Sequence, residues 1–395
     1  VSISKFSANK IFDGNQWLTE PSVIITDHDG RILDVSNSPN DFDEAQHVEG
    51  VISPGFINCH CHTELSHLKN LIPEHTGLVP FLTQVSTKRF FSKELINESA
   101  HAAFDEMYKG GIVGVGDISN TTDSIDAKLF SSMHCYNFIE ALGLAPELAT
   151  ERMIVAETVQ QQYQAALPWQ QTVVVPHAPY SISSNLFEKI NLASAGRTIS
   201  IHNQETEAEN LLFETGGGPF LELFSRLKMD YSTLRFTGRR SVFSYLPFLT
   251  HPKRIILVHN TFTQEEDIDF IQDHALQHHQ HIVICLCPNA NLYIENKLPP
   301  VEFFMNRGLD IVLGTDSYAS NHQLNILSEM YTLQKAYKLP LATLLLWSCA
   351  NGAAALDMNH LLGSISPGKQ PGLVALEYLD NNENITDKTR VRKLM

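Results

Sequence analysis

Residues 51–62, VISPGFINCHCH, hold the pattern on which the fold turns: a short apolar run that ends in a polar, histidine-bearing tip. The pattern returns seven times. GIVGVGDIS (111–119), HCYNFIEALG (134–143), TVVVPHAPYS (172–181), RTISIHNQE (197–205), RIILVHNTF (254–262), HIVICLCPN (281–289) and GLDIVLGTDS (308–317) follow in order, with amphipathic stretches between them. Near-continuous apolar strands alternating with helices describe a parallel sheet covered on both faces. Eight units predict an α/β fold with a (β/α)8 TIM barrel. An open doubly wound sheet is the alternative from pattern alone.

The crossovers carry their own signals. Leu324, Leu327, Met330, Tyr331 and Gln334 recur at three-and-four spacing, and Glu94 to Lys109 is a good helix former halted by Gly110 and Gly111. The segment 216–253 is longer than an ordinary connection and contains GGG and TGRRS, so an extra helix or a lid over the barrel mouth is expected there. Residues 1–50 have a different texture, with short alternating strands such as SVIITD and RILDVS joined by DHDG, whose Asp29-Gly30 pair signals a hairpin. Residues 361–395 resume it. The predicted organisation is therefore a small β-sandwich made from 1–50 and 361–395, with a barrel of 51–360 inserted into it.

Composition narrows the function. Lys and Arg number 28 against 44 Asp and Glu, a formal net charge of -16, and no basic stripe offsets it, so nucleic acid is not an expected partner. No run approaches the length of about 20 apolar residues that a bilayer requires, and VSISKFSANK lacks the apolar centre of a signal peptide. The six cysteines lie in apolar runs, which suits reduced core thiols and a cytoplasmic location.

The 18 histidines carry more information. His60 and His62 project from one side of the first strand while Cys59 and Cys61 project from the other, because strand side chains alternate. His177, His202, His259 and Asp316 sit at the C-terminal tips of other strands, the face on which barrel enzymes build their sites. His274, His278, His279 and His281 crowd a polar helix end and read as solvated surface. Arg239 and Arg240, in the long insertion, read as a solvated pair, with contact to an anionic substrate group as the alternative. No P-C-x-x-C follows the H-x-E of residues 62–64, GSISPGKQ departs from a phosphate-binding loop at its last residue, and no G-x-S-x-G elbow is present.

PGFINCHCH, PHAPYS, SIHNQETEAE, LVHNT, CPNANLYI and LGTDSYASN, in this order, resemble the amidohydrolase superfamily, specifically its nucleobase and adenosine-type deaminase and chlorohydrolase branch. The resemblance covers nearly the whole chain. It implies one divalent metal ion, zinc or alternatively iron, held by His60, His62, His202 and Asp316, with a water whose pKa falls to about 7. His259 resembles the residue that orients this water, and Glu205 the one that moves a proton to a ring nitrogen. Asp316 would accept the water's proton. The fourth strand ends in Pro176-His177 without the lysine that marks two-metal branches, so a single ion is implied.

His177 resembles a substrate-contacting histidine, and Glu64 and Glu140 are further candidates for substrate contact, with structural roles as the alternative. HTELSHLK is similar to a feature of aminodeoxyfutalosine deaminases. Two departures from the family pattern stand out: Ala290 in CPNAN and Gly372 in KQPGLVAL. The expected activity is hydrolytic deamination of an amino-substituted heterocycle, such as an adenosine-like nucleoside, as a free small molecule. Removal of a halide or alkylamine, cleavage of a cyclic amide, and a non-catalytic metal-binding barrel are the alternatives. Dimers are common in this branch.

Overall fold

The computed structural model describes residues 3–395. Strands β1 (Ile3–Ile11), β2 (Val23–Asp27), β3 (Ile32–Ser36) and β4 (Gln46–Pro54) come first, and β13 (Leu373–Glu377) and β14 (Arg390–Lys393) come last. They form one six-stranded mixed sheet in the order β14-β13-β4-β1-β2-β3. The Asp29-Gly30 turn does join an antiparallel pair, β2 and β3, with Gly30 at φ +80°. The sheet has its own apolar core around Phe6, Ile24, Ile52 and Leu373.

Between these ends lie β5 (Phe56–Cys61), β6 (Ile112–Ser119), β7 (His134–Ala141), β8 (Gln171–Pro176), β9 (Thr198–Asn203), β10 (Arg254–His259), β11 (His281–Leu286) and β12 (Asp310–Leu313). Each predicted run contains one of them. They pair in parallel as two four-stranded sheets, β5-β6-β7-β8 and β12-β11-β10-β9. The two sheets meet along two seams. At the first, the amides of Thr315 and Asp316 donate to the His60 carbonyl at 3.0 and 3.1 Å, and at the second the His202 amide donates to the His177 carbonyl at 3.0 Å.

The opening run 51–62 is divided between the two parts of the molecule. Val51 to Pro54 belong to β4, and Gly55 turns the chain into β5. The Gly55 amide donates to the carbonyls of Pro371 and Gly372, both at 3.1 Å. A Cβ at Gly55 would lie 2.4 Å from a methyl of Val113, so only glycine allows this approach.

The helices form where the sequence punctuates them. The helix Lys93–Lys109 begins at Ser92, whose hydroxyl accepts from the Leu95 amide, and ends at Gly110 and Gly111, the latter at φ +86°. The helix Ile326–Tyr337 starts at Asn325, whose side chain accepts from the Ser328 amide. The insertion contributes two short helices, Phe220–Arg226 and Ser241–Tyr245. Phe220 stacks against Tyr180 with ring centroids 4.3 Å apart.

Two expectations are corrected here. Arg240 is buried rather than solvated: its Nε donates to Asp267 Oδ2 at 2.8 Å, while Arg239 pairs with Glu266. Both guanidiniums are engaged within the insertion and the helix Glu265–His278. His274 is also buried, facing the Leu249 carbonyl at 3.2 Å, because its helix turns that side inward. The insertion takes the extra-helix form of the expectation, and among the described residues none of 216–253 lines the central cleft.

A buried ion pair stiffens the β6 side. Lys128 Nζ lies 2.7 Å from Asp117 Oδ2 and 2.9 Å from Asn137 Oδ1, with both charged side chains fully buried. Asp117 also accepts from the amide and hydroxyl of Thr63, the residue after His62. Removing the lysine leaves a carboxylate buried without its counter-charge. Lys128→Met is therefore expected to lower stability by about 3–5 kcal/mol, read as a fall in the urea midpoint. An unchanged midpoint contradicts this role.

Candidate metal centre and active site

Both seams run through the residues singled out by their strand tips. His60 closes β5 beside Asp316, and His202 on β9 sits beside His177, which follows β8. His62 Nε2 lies 3.1 Å from His60 Nε2, 3.3 Å from His202 Nε2 and 3.4 Å from Asp316 Oδ1, and His60 Nε2 lies 3.5 Å from the same carboxylate oxygen. A tetrahedral ion with ligand distances of roughly 2.0–2.1 Å needs ligand atoms about 3.3–3.4 Å apart. The four separations, 3.1–3.5 Å, bracket that edge.

The tautomers agree with such a centre. His202 Nδ1 is 2.8 Å from the His177 carbonyl, which can only accept, so Nδ1 carries the proton and Nε2 presents its lone pair inward. One proton could bridge a single pair among these nitrogens, but not the whole set. A cation relieves the crowding of lone pairs where a proton cannot. His60, His202, His259 and Asp316 also form a compact group. The set containing His62 fits an ion better, because its separations of 3.1–3.5 Å bracket the tetrahedral edge. His259 belongs to a neighbouring position: its Nδ1 lies 2.8 Å from Asn291 Oδ1, and its buried Nε2 has no hydrogen-bond partner and faces Glu205 Oε1 at 3.6 Å.

The electrostatics favour the neutral imidazole at His60, His177 and His202 and the ionised carboxylate at Asp316. Burial pushes His60 down to about 3 and His177 down to about 4, and holds His202 well below the usual histidine range. Burial alone would raise Asp316. The hydrogen bond with His60, followed by the electrostatic attraction of His62 and His259, outweighs it and holds the carboxyl well below its ordinary value. Glu205 shows the opposite balance, since burial and then the charge of Asp316 raise it well above the usual carboxylate range. Its carboxyl is suited to hold a proton at neutral pH.

Backbone strain marks the same places. His259 and Asp316 adopt φ +73° and +58°, left-handed values that are uncommon outside glycine and cost on the order of 1–3 kcal/mol. Asn291 holds the first, and the Ser320 hydroxyl, bonded to Asp316 Oδ2, holds the second.

A cleft opens over the cluster. His62, His177, His202, Glu205, His259, Asp316 and Glu140 line its floor, so all but two of the expected site residues meet there. His60 lies just beneath. Glu64 departs from the expectation of substrate contact: its carboxylate does not line the cleft and accepts from the Asn120 amide at 2.9 Å and from the Thr121 amide and hydroxyl. The wall comes from the helix Leu78–Lys88, through Leu78, Phe81, Leu82 and Val85, with Arg89 just beyond its end. Tyr180, Asn120 and Ser317 also line it, with Leu65, Ser86 and Leu142 completing the wall. None of these was foreseen. The wall helix has ordinary amphipathic spacing, and Asn120 and Ser317 are polar loop residues like many others, although Tyr180 and Ser317 do fall inside the PHAPYS and LGTDSYASN motifs.

The sequence profile of the amidohydrolase family matches residues 51–395. The chain belongs to the amidohydrolase family. This amidohydrolase is similar to a 5-methylthioadenosine/S-adenosylhomocysteine deaminase of Desulforamulus reducens, with 26% identity over 357 residues that cover 85% of this chain and 75% of that protein. Among solved structures it resembles an aminofutalosine deaminase of Helicobacter pylori in complex with methylthio-coformycin, with a TM-score of 0.79 and 22% identity across 97% of this chain and 93% of the other. An adenosine deaminase of Xanthomonas campestris with bound zinc gives a TM-score of 0.71 and 20% identity, covering 94% of this chain and 84% of that one. These likenesses place the amidohydrolase fold on this chain, an α/β architecture with parallel sheets. They also agree with a divalent metal requirement.

An ion that binds only the folded state raises thermal stability. Metal analysis of the purified protein is expected to find one equivalent of divalent ion, and chelation is expected to lower Tm. Asp316→Asn and His62→Ala should each reduce the bound metal by more than about tenfold, since each removes one of four ligands. Full metal occupancy in both variants contradicts the ligand set.

Proposed function

We propose that this amidohydrolase is a hydrolytic deaminase of an amino-substituted heterocycle, most specifically an adenosine-like nucleoside. The observation that carries the reading is the convergence of His60, His62, His202 and Asp316 on one point at the cleft floor, with Glu205 and His259 beside it. The deaminase relatives support the choice of reaction. A divalent ion held by those four residues, zinc first and iron as the alternative, supplies Lewis acidity and makes hydroxide available near neutral pH.

The remaining chemistry falls to the chain. Adding water to the carbon that bears the amino group requires a proton to leave the water and another to reach the ring nitrogen. His259, with Nδ1 tied to Asn291, turns its free Nε2 toward the reacting water and orients it. Asp316 takes the proton from that water, because its carboxyl stays ionised while Ser320 fixes its other oxygen. Glu205 delivers the ring proton, since burial and then the charge of Asp316 favour the protonated form of its carboxyl. His177 donates or accepts across the cleft through Nε2, its Nδ1 being 2.8 Å from the Ser181 hydroxyl. Asp316 then passes the water's proton to the amino nitrogen, the hydroxyl proton of the adduct returns to Glu205, and ammonia leaves as the carbonyl forms.

We read the two four-stranded sheets as halves of one (β/α)8 barrel closed at the two seams, and the terminal strands as a small β domain whose strands pair in one sheet where the sequence predicts a β-sandwich. The domain division is 1–50 with 361–395 around a barrel of 51–360, with β4 running into the join as far as Pro54. A homodimer that meets only small-molecule substrates, and neither nucleic acid nor membrane, completes the reading. Six free, buried cysteines support a reducing, cytoplasmic setting.

Ammonia release from a panel of adenosine-type nucleosides, guanine, cytosine and triazines tests the proposal. The metal-loaded protein is expected to act best on the nucleosides. Glu205→Gln should lower kcat by about 10²–10⁴-fold, the usual worth of a positioned general acid. A metal-loaded protein that releases no ammonia from any member of the panel would sink the reading.

A further inference from the structure

Glu64 and Glu140 are both buried carboxylates at strand tips beside the cluster, yet the structure gives them different work. Glu64 Oε2 accepts from the Asn120 amide at 2.9 Å and the Thr121 amide at 3.2 Å, while Oε1 takes the Thr121 hydroxyl at 3.0 Å. Both acceptor oxygens are therefore spent on the chain that leaves β6. With its backbone fixed, Asn120 extends Nδ2 to Glu140 Oε2 at the tip of β7, at 3.1 Å. The other oxygen of Glu140 is left over. Oε1 is buried, has no hydrogen-bond partner, and lies 3.6 Å from His202 Nδ1, whose proton is already given to the His177 carbonyl.

A buried carboxylate oxygen without a donor carries a desolvation cost that an arriving donor relieves. Glu140 and Asn120 both line the cleft, and Glu64 does not. The donor that fits is thus a group on the bound molecule. We propose that Glu140 Oε1 selects substrates that present a hydroxyl or N–H on the part of the molecule away from the reacting carbon, and that Glu64 and Asn120 are positioning residues that aim this oxygen. The chain Glu64–Asn120–Glu140 joins the tips of β5, β6 and β7, so specificity is set by a relay that begins two residues after the metal ligand His62. The inference rests on the deaminase reading for its substrates.

The test uses the metal-loaded enzyme, a hydroxyl-bearing adenosine-type nucleoside and its dideoxy analogue. Asn120→Ala and Glu140→Gln are each expected to raise KM for the hydroxylated nucleoside by about tenfold, the scale of one charge-assisted hydrogen bond, with a much smaller change in kcat. The double variant should be no worse than Glu140→Gln alone, because Asn120 acts through Glu140. Neither change should alter KM for the dideoxy analogue by more than about twofold. Glu64→Gln places an amide donor against the Asn120 and Thr121 amides and should give the same KM pattern; if it fails to fold, Asn120→Ala carries the test.

A crystal structure of the Asn120→Ala holoenzyme supplies a readout independent of turnover. A rotated Glu140 carboxylate with His60, His62, His202 and Asp316 unmoved supports the relay. Additive effects of Asn120→Ala and Glu140→Gln, equal losses in kcat and kcat/KM, or an unmoved Glu140 in that crystal structure overturn it. If no nucleoside is deaminated, calorimetric binding of the same pair separates the two ideas. Tighter binding of the hydroxylated nucleoside, lost in Asn120→Ala, leaves the relay standing while the deaminase reading falls, and equal binding of the pair overturns the relay.

Discussion

Imidazole lone pairs and an ionised carboxylate repel one another when they are gathered out of water, and this molecule gathers four such groups within 3.5 Å of a neighbour. Desolvation makes each of them costly, by several kcal/mol for a buried carboxylate alone. The arrangement is stable only if a positive centre sits among them, and much of the surrounding chain serves to keep the donors aimed inward. The His177 carbonyl fixes the tautomer of His202, Ser320 ties down one oxygen of Asp316, and Asn291 does the same for the ring of His259.

The fold supplies this concentration because its two parallel sheets meet there. A backbone hydrogen bond between sheets at each seam ends on a site residue, so closing the strands and assembling the cluster are one event. The left-handed backbone at His259 and Asp316 follows from the same demand: the chain must leave its strand abruptly to swing the side chain over the cleft. On the opposite end of β5, Gly55 passes close to Val113 and lets the terminal sheet feed directly into the strand that carries the histidine pair.

Strand tips were legible in the sequence because a parallel strand buried on both faces must be apolar until it reaches solvent, so the first polar residue after each run marks the tip. His60, His62, His202, His259 and Asp316 were found by that rule and meet in the structure. The resemblance to amidohydrolases then sorted them into roles that spacing alone could not give. Glu64 takes the structural alternative for a physical reason: proximity along the chain to His62 says nothing about which way a side chain points once the strand has passed into a helical turn. Arg240 and His274 were misread as surface because charge and polarity suggest solvent unless the partner is known, and Asp267 and the Leu249 carbonyl are distant in sequence. Asn120, Asn291, Ser320 and Arg89 act through geometry set by several elements at once, which no local pattern records.

Anomalous diffraction from crystals of the metal-loaded protein tests the central claim most directly, because it locates the ion and names its ligands in one experiment. The account predicts a single peak at about 2.0–2.2 Å from His60 Nε2, His62 Nε2, His202 Nε2 and a carboxylate oxygen of Asp316, with His259 and Glu205 outside bonding distance. A peak held by His259 in place of His62, or no peak at the cleft floor in protein that contains stoichiometric metal, would contradict it.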